Sequence, residues 1–260
     1  MDPIDKQAEE AEKAEDFKSA YELWKQLARA KTDDEFLLIR YGRAAQKLEK
    51  WEEAERAFTQ AFRLAPTSSL VMENMGSLWA HRTDKDDSES FQTARQWFLK
   101  ALKHDRHARL LTHLGAVDVA LGNEEAARHW FEEAIQLNPS YEEALYNLAM
   151  LEEESNRQRA IDLLERAIQI DVDYAEAHQS LGRLYQHAKD LVRADYHFRR
   201  SLEIDPSDYW SNLFLANLLS VQGKNEEAEN MYRLATSLHP EISSGIEHYA
   251  AFLDDIGKSE

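Results

Sequence analysis

Seven alanines recur almost evenly along 260 residues: Ala20, Ala54, Ala94, Ala127, Ala160, Ala194 and Ala228, at spacings of 34, 40, 33, 33, 34 and 34. Four residues after each stands a large side chain: Trp24, Phe58, Phe98, Phe131, Leu164, Phe198 and Tyr232. Three residues further on comes another, usually small: Leu27, Ala61, Ala101, Ala134, Ala167, Ser201 and Ala235. A fixed period near 34 residues calls for a stack of similar units, because an irregular compact core would not repeat its pattern.

A second ladder runs in phase with the first. Gly42, Gly76, Gly115, Ala149, Gly182, Ala216 and Ala250 each follow an apolar residue: Tyr41, Met75, Leu114, Leu148, Leu181, Leu215 and Tyr249. Four places before each small residue stands Leu38, Met72, Leu111, Leu145, His178, Asn212 or Ile246. Offsets of three and four lay one stripe along an α-helix. Each unit is therefore two helices, the first carrying the small residue that lets a neighbour approach and the second carrying the large side chain. Gly122-Asn123 and Gly223-Lys224 read as turns within units. Pro66, Pro139, Pro206 and Pro240 separate units, since proline lacks an N–H and ends a helix. Ser140-Tyr141-Glu142-Glu143 reads as a capping box for the next helix.

This pattern, for instance Leu111, Leu114, Gly115, Ala127, Phe131, Ala134 and Pro139 in one unit, resembles the tetratricopeptide repeat (TPR) family over nearly the whole chain. The resemblance implies an all-α, right-handed α-solenoid. One domain over 1–260 is expected, with seven units at about 1–34, 35–68, 69–107, 108–141, 142–174, 175–208 and 209–242, and a capping helix at 243–257. The first helix, with Gln7 and Ala8 at the apolar–small pair, is charged and expected to fray. The third unit is six residues longer, with Arg82 to Gln92 expected between its helices. The fifth lacks one residue near Ser155-Asn156.

Charge narrows the partners. Acids outnumber bases 49 to 31, a formal net charge of −18, which disfavours nucleic acid and an anionic membrane surface. No run approaches 18 apolar residues, and Met1 to Glu15 lacks a signal-like apolar core, so a cytoplasmic protein is expected. There is no cysteine and hence no thiol chemistry. No phosphate-binding glycine loop or nucleophile elbow is present; no catalytic group, metal or cofactor is expected.

In the family, partners lie along the first helices. The matching stripe here is Phe36, Ile39 and Arg43; Leu70, Glu73 and Ser77; Arg109, Thr112 and Ala116; Glu143, Tyr146 and Met150; Glu176, Gln179 and Arg183; and Trp210, Leu213 and Asn217. Within it Phe36, Ile39, Tyr146, Met150, Trp210 and Leu213 are expected to face a groove as apolar anchors. The alternative packs Trp210 on the capping helix and Phe36 on the first unit. The Lys, Asn and Arg set with which TPR co-chaperones hold a terminal carboxylate is not assembled, because Asn74, Asn147, Arg40 and Arg43 stand apart.

Other clusters weigh less. His104, His107 and His113 with Arg106 and Arg109 form a basic island, read as a solvated patch or a contact for an acidic partner. The stretch Asp84-Lys85-Asp86-Asp87-Ser88 fails the calcium-loop pattern, which needs Gly where Glu89 stands and Glu where Arg95 stands. It reads as a solvated loop, with an Asp or Ser88 capping the following helix. The acidic segment Asp2 to Asp16 is complementary in charge to Arg40, Arg43 and Lys47.

The reading is a noncatalytic scaffold that binds a peptide or protein segment in the groove. Alternatives are a structural self-association module and a regulatory or targeting subunit of an enzyme assembly. Both a monomer and a weak dimer fit the residues.

Overall fold

The computed structural model describes residues 3–82 and 87–258. Among the described residues there are fifteen α-helices and no strand, so the protein is an all-α repeat array. The chain divides into two compact parts, Met1–Pro139 and Ser140–Glu260. The N-terminal half holds four helix pairs: α1 (Pro3–Lys13) with α2 (Phe17–Ala30), α3 (Glu35–Lys47) with α4 (Trp51–Leu64), α5 (Ser69–His81) with α6 (Asp87–Leu102), and α7 (Ala108–Ala120) with α8 (Glu124–Leu137). The C-terminal half holds three: α9 (Glu142–Glu152) with α10 (Arg157–Ile170), α11 (Ala175–His187) with α12 (Leu191–Ile204), and α13 (Tyr209–Val221) with α14 (Asn225–Leu238). The helix α15 (Ser243–Asp255) follows them.

The ladders are the core. All seven alanines of the first ladder are fully buried, and none of the large residues four places on is more than 3% exposed. The second ladder meets the first within each pair. A Cβ added at Gly42, Gly76 or Gly115 would lie 2.4, 2.4 or 2.3 Å from the ring of Phe58, Phe98 or Phe131. Only a residue without Cβ lets helix and ring come this close. Where alanine replaces glycine at Ala149, the facing ladder residue is the smaller Leu164.

Helix ends follow local chemistry. Asp16, Asp34, Asn156, Asp190 and Asp208 accept backbone N–H groups at the starts of α2, α3, α10, α12 and α13. Gly122 and Gly223 turn the chain at φ of +75° and +73°. The expected capping box at Ser140 is not formed in that register: α9 starts one residue later, with Tyr141 at its N-cap and no side-chain cap bond. Asp84, Lys85 and Asp86 lie outside the described residues. The stretch expected between the helices of the third unit is helical from Asp87 onward: Asp87 to Gln92 already belong to α6, so Ser88 is not its cap.

The first helix departs from expectation. α1 is helical, with Ala8 fully buried and Ile4 and Ala11 packed on the N-terminal core. Trp24 Nε1 donates to Glu12 at 2.8 Å, and Arg40 pairs with Glu9 at 2.9 Å and with Glu12 at 3.8 Å. The complementarity read from charge is thus realised at Arg40. Its guanidinium also lies 4.8 Å over the Trp24 ring. Beside it, Glu53 accepts from Tyr41, Tyr21 and Lys25, which joins α2, α3 and α4. The Tyr41 hydroxyl, with Lys25 and Tyr21, holds the Glu53 carboxyl down at about 2.

Candidate protein-interaction faces

The stripe of first-helix residues divides into three groups. The first is buried. Ile39 is 3% and Leu213 2% exposed, so both belong to the core and neither presents an anchor. The sequence stripe assigned them outward because a helix face about 100° wide shares its edges with its neighbours. Thr112 is also fully buried and donates its hydroxyl to the Ala108 carbonyl at 3.0 Å.

The second group is engaged in ion pairs and hydrogen bonds. Glu73 is buried and accepts from Arg109 at 3.1 Å, from His107 Nε2 at 2.9 Å and from Ser69 at 3.3 Å. His107 Nδ1 accepts the Leu110 N–H at the start of α7, which places the ring proton on Nε2, toward Glu73. Arg106, His107 and Arg109 of the basic island thus all meet carboxylates, since Arg106 also pairs with Glu133 at 2.5 Å. In the C-terminal half Arg183 pairs with Glu153 at 2.5 Å, Gln179 donates to Asp208 at 2.9 Å, and Asn217 accepts the Tyr232 hydroxyl at 2.6 Å. Burial pushes that hydroxyl up to about 12, so it stays a donor at neutral pH.

The third group is open. Phe36 is 60% exposed, and Arg43 is exposed with no ion pair among the described residues. Tyr146 is half-buried, with its ring centroid 5.3 Å from that of Tyr174. Burial raises both hydroxyls above their ordinary range. Met150, also half-buried, takes a hydrogen bond on sulfur from Ser180 at 3.6 Å. Trp210, 46% exposed, stacks on Phe214 at 5.8 Å and meets Tyr209 edge-on at 4.9 Å. Tyr209, not Trp210, is tied to α15: its hydroxyl lies 3.2 Å from that of Ser244, against Gly245.

Several residues on these faces escaped sequence reading. Tyr174 and Phe214 complete the two aromatic groups, and Lys47, Asn74, Gln46 and His81 gather around Arg43. Lys47, four residues after Arg43 on one helix, is already grouped with it by charge, whereas Asn74, read as standing apart from Arg43, lines the same hollow. Gln46 also lies on α3, whereas Asn74 and His81 come from α5, where spacing is silent. Among the described residues no group of three metal-ligating side chains occurs, and no helix is long and apolar enough to cross a membrane.

An array of helix pairs with mixed, partly aromatic exposed faces is the frame of a protein-interaction scaffold. Residues 36–68, 108–141 and 143–171 each match a family model described as a tetratricopeptide repeat. The chain is a tetratricopeptide-repeat protein. No curated protein matches it. Among solved structures it is similar to a chain of the APC/C hetero-tetramer Cut9–Hcn1, with a TM-score of 0.76 at 15% identity. That match covers 90% of this chain and 45% of the other, so this chain spans less than half of that relative. It is similar to PilF of Pseudomonas aeruginosa with a TM-score of 0.72 at 18% identity, over 85% of this chain and 97% of that one. YrrB, described as a TPR protein with an unusual peptide-binding site, matches with a TM-score of 0.50 at 18% identity, over 72% and 95% of the two chains. At these identities the likeness is one of fold.

Proposed function

We propose that this protein is a noncatalytic scaffold that holds a segment of a partner protein along its first-helix faces. The observation that carries the reading is Trp210. Its ring is nearly half exposed and held against Phe214 and Tyr209. Large rings held rigidly at a surface are effective anchors, because little side-chain entropy is lost when a partner covers them. Tyr146, Tyr174 and Met150 form a second such place in the same half. The peptide-binding description of YrrB agrees with this reading.

The test is a peptide array probed with the full chain, followed by solution titration of the peptides retained. Trp210→Ala is expected to weaken peptides that bind the C-terminal half by about tenfold or more, the usual scale for an aromatic hot spot. Full affinity in that variant for every peptide would overturn the assignment of Trp210. A second reading is self-association through α15, favoured by the exposed Ile246, Ala250 and Ala251. Sedimentation at several concentrations separates the two readings.

A further inference from the structure

Two hollows lie side by side on the first-helix face of the N-terminal half. The larger, about 460 Å³, is lined by Arg43, Gln46 and Lys47 of α3, Trp51 of α4, and Asn74 and His81 of α5. The smaller, about 170 Å³, is lined by Ala80, Phe91, Phe98, His113, Ala116 and Val117. Ser77 and His81 belong to both and form their common wall.

The larger hollow is cationic. Arg43 and Lys47 stand four residues apart on one helix, and neither has an ion pair among the described residues, although acids outnumber bases in this chain. The other first-helix arginines, Arg40, Arg109 and Arg183, are all paired with carboxylates. Glu49 also lines the hollow but pairs with neither cation. The surroundings are fixed in place. Gln46 donates to the hydroxyl and carbonyl of Ser77, each at 3.3 Å, which ties α3 to α5. The His81 ring is held by Nδ1 on the Ser77 carbonyl at 2.8 Å. Two like charges held on one face repel each other and leave an arginine fork open, an arrangement that a carboxylate completes. Two bases in a chain of net charge −18 suit a single carboxylate, not a polyanion.

The smaller hollow is apolar and of the size of one aliphatic side chain, whose burial there is favoured by the area removed from water. Phe91 stands on α6 three residues before Ala94, the place that Trp51 holds before Ala54.

We propose that the two hollows form one subsite that reads an acidic side chain followed closely by an aliphatic one, within an internal stretch of a partner protein. This rests on the reading of the first-helix faces as the docking surface. An internal stretch fits because the face continues beyond the hollows. Exposed Phe36 lies two turns from Arg43 along α3, about 10 Å away, so a chain seated here can run on past it.

The test uses the full-length chain on an array of random dodecapeptides tethered by their C-termini. Retained peptides are expected to be enriched in Asp or Glu beside Leu, Ile, Val or Met. The double variant Arg43→Glu with Lys47→Glu is expected to lose their binding by about tenfold or more and to lose the acidic preference. Ala116→Phe, which fills the apolar hollow, should erase the aliphatic preference and keep the acidic one. Lys47 lies 5.9 Å over the Phe17 ring and in the last turn of α3, so a slightly lower helical melt is expected; if the reversal unfolds the chain, Arg43→Gln with Lys47→Gln replaces it. Retained peptides with no acidic preference, bound equally by the charge-reversed variant but weakened by Trp210→Ala, would overturn the subsite and leave the docking faces standing. No retained peptide at all would overturn both. Selected peptides whose affinity in solution falls by about tenfold or more when the C-terminal carboxylate is amidated would overturn the internal assignment.

Discussion

The two halves use the same helix-pair frame with different materials. The N-terminal half sets glycine against phenylalanine in three successive pairs: Gly42 with Phe58, Gly76 with Phe98 and Gly115 with Phe131. The C-terminal half does so once, at Gly182 with Phe198. Its other pairs set Ala149 and Ala216 opposite Leu164 and Tyr232. The C-terminal half also admits polar residues to the buried stripe. His178 and Asn212 occupy places held elsewhere by Leu38, Met72, Leu111 and Leu145, and Ser201 holds a place where alanine is usual. Each finds a local partner. Asn212 donates to the carbonyls of Asp208 and Pro206 at 2.8 and 3.2 Å, and Ser211 donates to Ser201 at 2.9 Å. His178 donates from Nε2 to the Val172 carbonyl, so its Nδ1 accepts from Nδ1 of His197 at 3.0 Å. Charge differs too: 26 acids against 20 bases before Ser140, and 23 against 11 from there on. A repeat frame thus tolerates polar substitution in its core where the buried donors find acceptors nearby, although Asn212 Oδ1 has no hydrogen-bond partner among the described residues.

The largest expected effect bears on the close-packed pairs. Gly115→Leu places its Cβ inside contact distance of the Phe131 ring, and a destabilisation of about 3 kcal/mol or more is expected in urea unfolding. Ala149→Leu, opposite the smaller Leu164, should cost less, about 1–2 kcal/mol. Equal losses would erase the packing difference between the halves.

A smaller effect tests the polar core of the C-terminal half. Burial lowers the pKa of His178 and, with the neighbouring His178 and Arg193, lowers that of His197 to about 4. Arg200 further lowers His178, while the Val172 carbonyl and Asp173 oppose the shift. Tyr185 and Tyr196 pack on the His197 ring. Both folded-state values lie below the unfolded value near 6.5, so the unfolded chain takes up protons first as pH falls. The stability these residues share is present above about pH 6.5 and is lost toward pH 4. About 1–2 kcal/mol should be gone by pH 5. Hydrogen exchange at pH 7 and pH 5 checks this: α11 and α12 should lose protection before α7 and α8. A loss shared evenly by all four helices would count against the His pair as its source.

The smallest effect concerns the N-terminal edge. Arg40→Ala removes a half-exposed pair to Glu9 and the contact with the Trp24 ring, for about 0.5–1 kcal/mol. Half a molar salt should remove part of that difference, because the pair is solvent-accessible. A salt-independent loss would assign the effect to the ring contact alone.

Much of the fold was legible because the ladders are periodic and periodicity survives without coordinates. The helix pairs, the Gly122 and Gly223 turns and the lone final helix all follow from spacing. The faces were legible in part. Phe36, Arg43, Tyr146, Met150 and Trp210 stand open or half-open, whereas Ile39 and Leu213 are core and Glu73 is held within an ion-pair cluster. The errors fall at the edge of the apolar stripe, where a rotation of a few tens of degrees decides between core and surface. α1 was misread for a related reason: its charges suggested fraying, but the Glu12, Trp24 and Arg40 contacts that anchor it join residues distant in sequence.

By itself, then, the sequence determined the repeat, its register and which residues pack within each pair, since these depend on offsets of three, four and about 34 residues along one chain. Tertiary structure alone decided which stripe residues stay open, which charges neutralise each other, and that Arg43, Lys47 and His81 share a hollow with Trp51. Those relations join side chains from different helices, and their geometry is set by packing distance and helix rotation, which no spacing rule encodes.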